Sequence, residues 1–252
     1  LVGSAQIRLA VRTEHQVYLQ YETAHAFVTI YNDGENVLSI CDGATGACSR
    51  LEFLIEKRGG DTVRRVQDGS PVGRLQILPG EQRELVVDLT QWYDVREMGR
   101  YLVRAALVVD GEYLLSEHSM LDVVRGLEIL SVTRGVLGYA AMQRTYSLRY
   151  WRRDRHEFLF LTVDENPSEL NQGVFQLGRL IRVAQPRLSV DARGNVEVYH
   201  QSSSKSFVRT TLRSDGDGVR FIDQRIELES GEPFPNVTDA PERPLRDPSL
   251  PR

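Results

Sequence analysis

Apolar and polar residues alternate with a period of two along most of this chain. Near the start, Ile7, Leu9 and Val11 occupy every second position, and residues 146–150 repeat the pattern in the second half. A period of two places such residues on one face of a β-strand, whereas a helix needs a period near 3.6. Tight-turn residues, such as the Asn-Asp-Gly-Glu-Asn stretch at 32–36, separate the segments. The sequence therefore predicts an all-β protein.

The length and the proline distribution divide the chain into three parts. With 252 residues, two domains are favoured, and we place them at 1–125 and 126–230. The last part, 231–252, holds six of the ten prolines, which exclude helix and interior strand. We expect an extended Pro-rich tail that docks on a neighbouring chain, with docking on its own domains as the alternative, and Pro233, Phe234 and Pro235 are the candidate contact residues.

Individual strands follow from the same alternation. In the first half, residues 62–66 are expected to return from the turn at Gly59-Gly60 as a strand. In the second half, residues 157–163 are apolar on both faces, which predicts a central strand. A polar loop is expected at 164–173, followed by a strand at 178–183. This second half is thus expected to be an antiparallel β domain.

Two resemblances support the β assignment. The "PGE" at 79–81, the "VDL" at 87–89 and the "GRYLV" at 99–103 resemble the end of immunoglobulin-like domains in exported bacterial proteins. Those domains include accessory parts of secreted peptidases and small proteinase-inhibitor sandwiches. The resemblance covers about 24–124 and implies an immunoglobulin-like β-sandwich rather than an activity. Residues 186–200 resemble one blade of a β-propeller, but a single blade cannot close that fold.

A tyrosine two residues after a glycine marks the start of a late strand in this domain. Sandwich folds place a corner tyrosine there, whose hydroxyl group bonds back to the chain. Gly99 and Tyr101 are therefore predicted to form a structural corner.

Cys41 and Cys48 are the only cysteines, and the segment between them contains two glycines. A local disulfide is expected, which favours an oxidising compartment. Two buried thiols, or half of a metal site, are the alternatives. Residues 1–5 resemble the small-residue end of a signal-peptide cleavage region. We therefore expect a secreted, periplasmic or cell-surface protein.

Charge and hydropathy exclude two kinds of partner. The net charge is -4 and the pI is about 5.8, which argues against a general affinity for nucleic acid. No stretch approaches the roughly 18 apolar residues that span a bilayer. The expected partners are other protein subunits or a glycan.

No catalytic constellation is recognisable in the sequence. The five histidines show no two-histidine metal spacing, and no phosphate loop, serine elbow or cysteine-histidine pair is present. We expect no enzymatic activity, no metal and no cofactor.

Two clusters could instead form an interaction surface. The first cluster interleaves arginines with aromatics and consists of Arg149, Tyr150, Trp151, Arg152 and Arg153. Such a surface can stack on a polyanion or a sugar, and the alternative is a solvated basic hairpin. The second cluster, Trp92 with Tyr93, is a candidate sugar platform, and the alternative is an aromatic pair packed near a sandwich edge.

These observations favour a non-enzymatic exported protein that acts as a subunit of a cell-surface or envelope assembly. A carbohydrate-binding or accessory module of a secreted degradative system is the alternative. A proteinase-inhibitor-like domain is the third possibility, and it rests on fold resemblance alone.

Overall fold

A computed structural model describes residues 7–41, 48–109, 111–168 and 170–228. The chain divides into two compact units, Leu1–Arg125 and Gly126–Arg252. The predicted tail, with Pro233, Phe234 and Pro235, lies outside the described residues. The described part of the chain is nearly all β, as the alternation predicted.

The first unit consists of short strands and one helical turn. Asp88 caps this turn, because its Oδ1 accepts hydrogen bonds from the amides of Thr90 at 2.9 Å and Gln91 at 3.3 Å. The described elements are β1 (Ile7–Thr13), β2 (Val17–Leu19), β3 (His25–Asn32), β4 (Leu38–Ile40), β5 (Arg50–Lys57), β6 (Leu75–Ile77), β7 (Gln82–Asp88), α1 (Leu89–Trp92), β8 (Gly99–Val109), β9 (Glu112–Leu115) and β10 (Ser119–Val124).

The strands of the first unit form sheets whose neighbours are distant in sequence. One sheet has the order β1-β3-β7, and a second has the order β2-β10-β8-β5, with β9 also paired to β8. Strand β10 runs parallel to β2, and β4 pairs with β6. Alternate residues of the two larger sheets, such as Val28 and Val103, are buried in one apolar core. This arrangement is compatible with a β-sandwich.

The second unit contains two four-stranded antiparallel meanders. Their orders are β11-β12-β13-β14 and β15-β16-β17-β18, so each strand pairs with its neighbour in sequence. Leu148 and Leu161 from the first meander share a core with Val198 and Leu212 from the second. The strands are β11 (Leu127–Val136), β12 (Tyr139–Arg153), β13 (His156–Asn166), β14 (Leu170–Arg179), β15 (Arg187–Val190), β16 (Asn195–Gln201), β17 (Ser206–Asp215) and β18 (Gly218–Leu228).

Three local expectations were wrong. Residues 62–66 form only isolated bridges, Glu56 to Thr62 and Arg65 to Tyr93, because the segment bonds first to β5 and then to residues 92–94 rather than along one strand. The expected polar loop at 164–173 is largely strand, since the ends of β13 and β14 continue to pair there. The expected strand at 178–183 ends at Arg179. Polar sequence alone did not indicate a loop where a neighbouring strand supplied hydrogen bonds.

Candidate interaction surface on strand β18

The last described strand, β18, lies at the edge of its sheet and pairs with β17. Four large apolar side chains on this strand are exposed. They are Phe221 at 46%, Ile222 at 56%, Ile226 at 76% and Leu228 at 75%. Edge strands in soluble proteins usually carry charges or proline at such positions, because their unpaired backbone groups can pair with another chain. β18 also carries charged residues, but its four exposed apolar side chains make it a candidate contact site.

The pairing with β17 assigns the two faces of β18. Ile226 lies opposite Val208 and Gln224 lies opposite Thr210, both of which are buried on the core side of β17. Paired residues of an antiparallel ladder share a face. Ile226 therefore lies on the core-side face of β18, but its side chain remains exposed to solvent instead of being buried in the core.

A bulge interrupts the strand near its middle. Phe221 pairs with Leu212 and Asp223 pairs with Thr211, so Ile222 is an extra residue between two paired positions. The side chain of Gln224 holds the strand after the bulge, since its Nε2 donates to the carbonyl of Leu177 and to Thr210 Oγ1, both at 2.9 Å.

The other face of β18 carries alternating charges. Arg225 Nε and Asp223 Oδ2 form an ion pair at 2.6 Å, and both side chains are exposed to solvent. Arg209 Nε on β17 donates to Glu227 Oε1 at 2.8 Å, and this hydrogen bond raises the pKa of Arg209. The strand thus offers an apolar face, a charged face and a backbone edge to a partner.

The structure separates the arginine and aromatic residues of β12 onto two faces. Arg149, Trp151 and Arg153 pair with Phe160, Phe158 and His156. Tyr150 and Arg152 alternate with them and lie on the opposite face. The five residues therefore do not form one stacking surface.

Most of these residues are engaged within the protein. Arg153 is only 5% exposed, stacks on Phe160 at 4.9 Å from the ring centroid, and donates from Nη1 to Gln176 Oε1 at 2.9 Å. Arg149 forms an ion pair with Glu128. The guanidinium of Arg182 lies 4.6 Å from the centroid of Tyr150, and its Nη1 donates to the Tyr150 hydroxyl at 3.0 Å. Arg152 alone of the five is exposed.

Trp92 and Tyr93 belong to the core region of the first unit. Tyr93 is only 4% exposed, and its hydroxyl oxygen accepts a hydrogen bond from the Phe53 amide at 2.9 Å. Burial raises the pKa of this hydroxyl. Trp92 is half-buried against the same core. Tyr93 therefore offers no ring face to a sugar.

Two structural residues lie at the start of β8. The Tyr101 hydroxyl donates to the carbonyl of Glu97 at 2.5 Å, and the ring is buried. Gly99 has a φ of +146°, and a Cβ at this position would lie 3.0 Å from the Lys57 side chain. A larger residue would therefore be strained here.

The predicted disulfide between Cys41 and Cys48 is confirmed, with Cα atoms 6.0 Å apart. The residues between the two cysteines lie outside the described ranges.

A buried polar cluster in the second unit was not predicted from the sequence. Arg144 Nη1 donates to Ser214 Oγ at 2.9 Å and to the carbonyls of Asp215 at 2.6 Å and Gly218 at 3.1 Å. The hydroxyl of Tyr146 donates to the same Ser214 at 2.6 Å. Arg144 Nη2 also lies 3.5 Å from Glu165 Oε2. The alternation of β12 places Arg144 on the same face as the buried Tyr146 and Leu148. A charged residue at a core-facing position was the sequence feature that could have indicated the cluster.

A cleft of about 660 Å³ lies beside this cluster, lined in part by Tyr139, Met142, Glu165, Asn166 and Pro167. The Glu165 carboxylate accepts from Ser168 Oγ and Gln172 Nε2, each at 3.1 Å. These hydrogen bonds connect Glu165 to the turn after β13 and to β14.

His200 is also buried in the second unit. Its Nε2 lies 3.1 Å from the carbonyl of Arg179, which assigns the proton to Nε2, while Nδ1 has no partner in the described structure. Burial lowers the pKa of His200 to about 4, so the ring is neutral near pH 7. Among the described residues, no group of three or more His, Cys, Asp or Glu side chains is placed to hold a metal, and no helix is long and apolar enough to span a bilayer.

Comparison with known proteins gives structural neighbours but no family. No family model matches the sequence, and no curated protein matches it. The alkylpurine DNA glycosylase AlkC of Pseudomonas fluorescens, solved bound to DNA with an abasic site analogue, matches 47% of this chain with a TM-score of 0.33 and 12% identity. This chain covers 30% of that one, so it spans about a third of its length.

A second neighbour is the sporulation control protein Spo0M of Bacillus subtilis. It matches 89% of this chain and 91% of its own, with a TM-score of 0.30 and 10% identity. At such values neither similarity indicates a function. The fold therefore defines the class on its own: a protein of two β units, the second antiparallel, with a local disulfide in the first.

Proposed function

We propose that this chain is a non-enzymatic exported protein that works through contacts with other proteins, as a subunit of a cell-surface or envelope assembly. The observation that carries the proposal is β18, a sheet edge with Ile226 and Leu228 exposed on one face. Such an edge can accept a strand from a partner, whose backbone supplies affinity and whose side chains supply specificity.

Two further features support the proposal. The disulfide between Cys41 and Cys48 is of the kind that persists in oxidising compartments. The bond from Tyr101 to Glu97 is consistent with an immunoglobulin-like first unit, a fold common in exported proteins. We also propose that the Pro-rich segment 231–252, which follows β18 directly in the sequence, clasps the same partner.

The experiment places an epitope-tagged chain in its native host and measures complex mass by native electrophoresis of the envelope fraction. We expect the wild type in a species heavier than one chain, and the Ile226→Lys variant at the mass of one chain. Lysine charges the edge and so opposes strand addition. The control is Val86→Lys, which alters an exposed residue of β7 in the first unit.

A wild-type chain that migrates at the mass of one chain, or that is recovered from the cytoplasm, would overturn the proposal. Deleting residues 231–252 tests the tail separately. An unchanged complex after this deletion would remove the tail from the assembly contact without affecting the role of β18.

A further inference from the structure

We infer that the partner of β18 is a second copy of this chain, paired antiparallel about a two-fold axis at Gln224. The inference rests on the proposed function and names the partner at the same site. A two-fold axis perpendicular to the sheet keeps the faces of both copies in register, so each residue must lie opposite one from the same face. For the part of β18 after the bulge, each allowed register is therefore defined by the residue that lies on the two-fold axis.

The charges of β18 select among these registers. With Gln224 on the axis, Asp223 lies opposite Arg225 of the second copy, and symmetry repeats this pair. With Arg225 on the axis, two arginines meet and Asp223 faces Glu227. With Asp223 on the axis, two aspartates meet. Opposite charges across strands stabilise a pair and like charges destabilise it, so both adjacent registers are disfavoured.

One other register avoids repulsion, with Ile226 on the axis and Arg225 opposite Glu227. The same-face overlap after the bulge is residues 224–228 in this register and residues 222–226 in the register at Gln224, so length does not distinguish the two. Glu227, however, is already bound by Arg209 at 2.8 Å. Asp223 and Arg225 form an ion pair within the single strand. In the register at Gln224, each of them also lies opposite a residue of opposite charge in the second copy.

The apolar residues agree with the same register. Ile222 lies opposite Ile226 of the second copy, and symmetry repeats this pair as well. Both side chains are exposed in the single chain, so pairing removes apolar surface from water at two places. The charged pairs and the apolar pairs thus favour one alignment.

We expect a weak dimer. Edge-to-edge pairing of one strand buries less than the ~1,600 Å² of a standard protein interface, so the dissociation constant should be on the order of 10 µM. Sedimentation velocity of the purified full chain from about 1 to 200 µM covers this range.

The decisive test mixes two charge variants. Asp223→Arg places two arginines opposite each other, and Arg225→Asp places two aspartates opposite each other, so each variant alone should dimerise at least about tenfold more weakly than wild type. The first variant carries basic side chains at both positions, and the second carries acidic side chains at both. Because both cross-strand pairs are complementary when the two variants are mixed, the mixture should form a heterodimer.

The double variant Asp223→Arg with Arg225→Asp should recover the wild-type dimer. This exchange restores opposite charges within the strand and between copies, whereas the mixture restores them only between copies. The matched control is Asp33→Arg, which reverses an exposed charge paired with Arg8 in the first unit and should leave the dimer unchanged. Circular dichroism of each variant checks that it is folded.

Three results would overturn the inference. The wild type could remain a single chain up to the highest concentration. The two charge variants could fail to form a heterodimer although the wild type dimerises, which would mean a different contact. The full chain could be monomeric while the chain lacking 231–252 dimerises, which would mean that the tail, and not a second copy, occupies the edge of β18. If the purified protein is monomeric but the native complex is lost in Ile226→Lys, the proposed function stands and only the second copy is excluded.

Discussion

The two units of this protein bury different kinds of side chain. In the described part of the first unit, the buried polar residues are Asn32, Ser49 and Ser116, which are small and uncharged. The described part of the second unit buries two arginines, a histidine and several hydroxyl and amide groups. They are Arg144, Ser147, Arg153, Thr162, His200, Gln201, Thr210 and Ser214.

This difference affects how each unit responds to its environment. Asn32 Nδ2 donates to the carbonyls of Asn36 at 2.8 Å and Ile77 at 2.9 Å, so its contribution does not depend on pH. In the second unit, Arg144 and His200 lie where desolvation opposes charge. The stability of the first unit therefore depends mainly on apolar packing, whereas that of the second also depends on the hydrogen bonds of its buried polar groups.

The chain offers a simple way to observe the units separately. It contains two tryptophans, Trp92 in the first unit and Trp151 in the second. In a Trp151→Phe background, fluorescence reports the first unit, and in a Trp92→Phe background it reports the second. Urea unfolding in these two backgrounds measures how each substitution changes the unfolding free energy of one unit.

The largest effect is expected at Arg144. Replacing it with methionine removes the donors to Ser214 and to the carbonyls of Asp215 and Gly218, and leaves these acceptors buried. The second unit should lose about 4 kcal/mol of unfolding free energy, measured by urea titration in the Trp92→Phe background. The control is Arg152→Met, because Arg152 lies on the same strand but is exposed. This variant should change the unfolding free energy of the second unit by less than about 0.5 kcal/mol. Equal effects of the two variants would contradict the comparison.

A pH dependence is the next largest effect. The folded-state pKa of His200 is about 4, below the ordinary 6.5, so between these values the unfolded chain binds a proton that the folded chain does not. Stability is therefore complete above pH 6.5 and falls as the pH drops toward 4, by about 3 kcal/mol in total. Urea titrations of the second unit at several pH values measure this slope.

His200→Gln serves as the control, because an amide can still donate to Arg179 but does not titrate. The slope between pH 6.5 and 4 should become shallower in this variant. An unchanged slope would exclude His200 as its source.

Removal of the disulfide should affect the first unit alone. Replacing Cys41 and Cys48 with alanine opens a short loop, and chain entropy predicts a loss of about 2 kcal/mol. The measurement is urea unfolding in the Trp151→Phe background, with and without a reducing agent. A comparable loss in the Trp92→Phe background would show that the two units do not unfold independently.

The smallest effect is expected at the corner tyrosine. Tyr101→Phe removes one buried hydrogen bond to Glu97 but retains the ring, so the first unit should lose about 1 kcal/mol. Tyr113→Phe, at an exposed position, is the matched control. If both variants have the same unfolding free energy, the hydroxyl of Tyr101 contributes nothing measurable.

Part of the candidate site could be expected from sequence and part could not. The alternation predicted an antiparallel β domain in the second half, and β17 and β18 form one of its hairpins. The exposure of Ile222 and Ile226 was not predicted, because alternation does not tell whether a facing layer covers the strand. Trp92 and Tyr93 illustrate the reverse, since an aromatic pair interpreted as a candidate platform belongs to the core region.

The sequence by itself indicated most of the strands, several turns, and the one cysteine pair that could form a local disulfide, because each depends on residues close along the chain. Tertiary structure alone decided that β10 joins β2 in parallel and that β3 pairs with β7. It also decided that Arg144 is buried while Ile226 is exposed. These outcomes depend on which distant segment supplies the neighbouring strand or the covering layer, and a period of two contains no information about that partner.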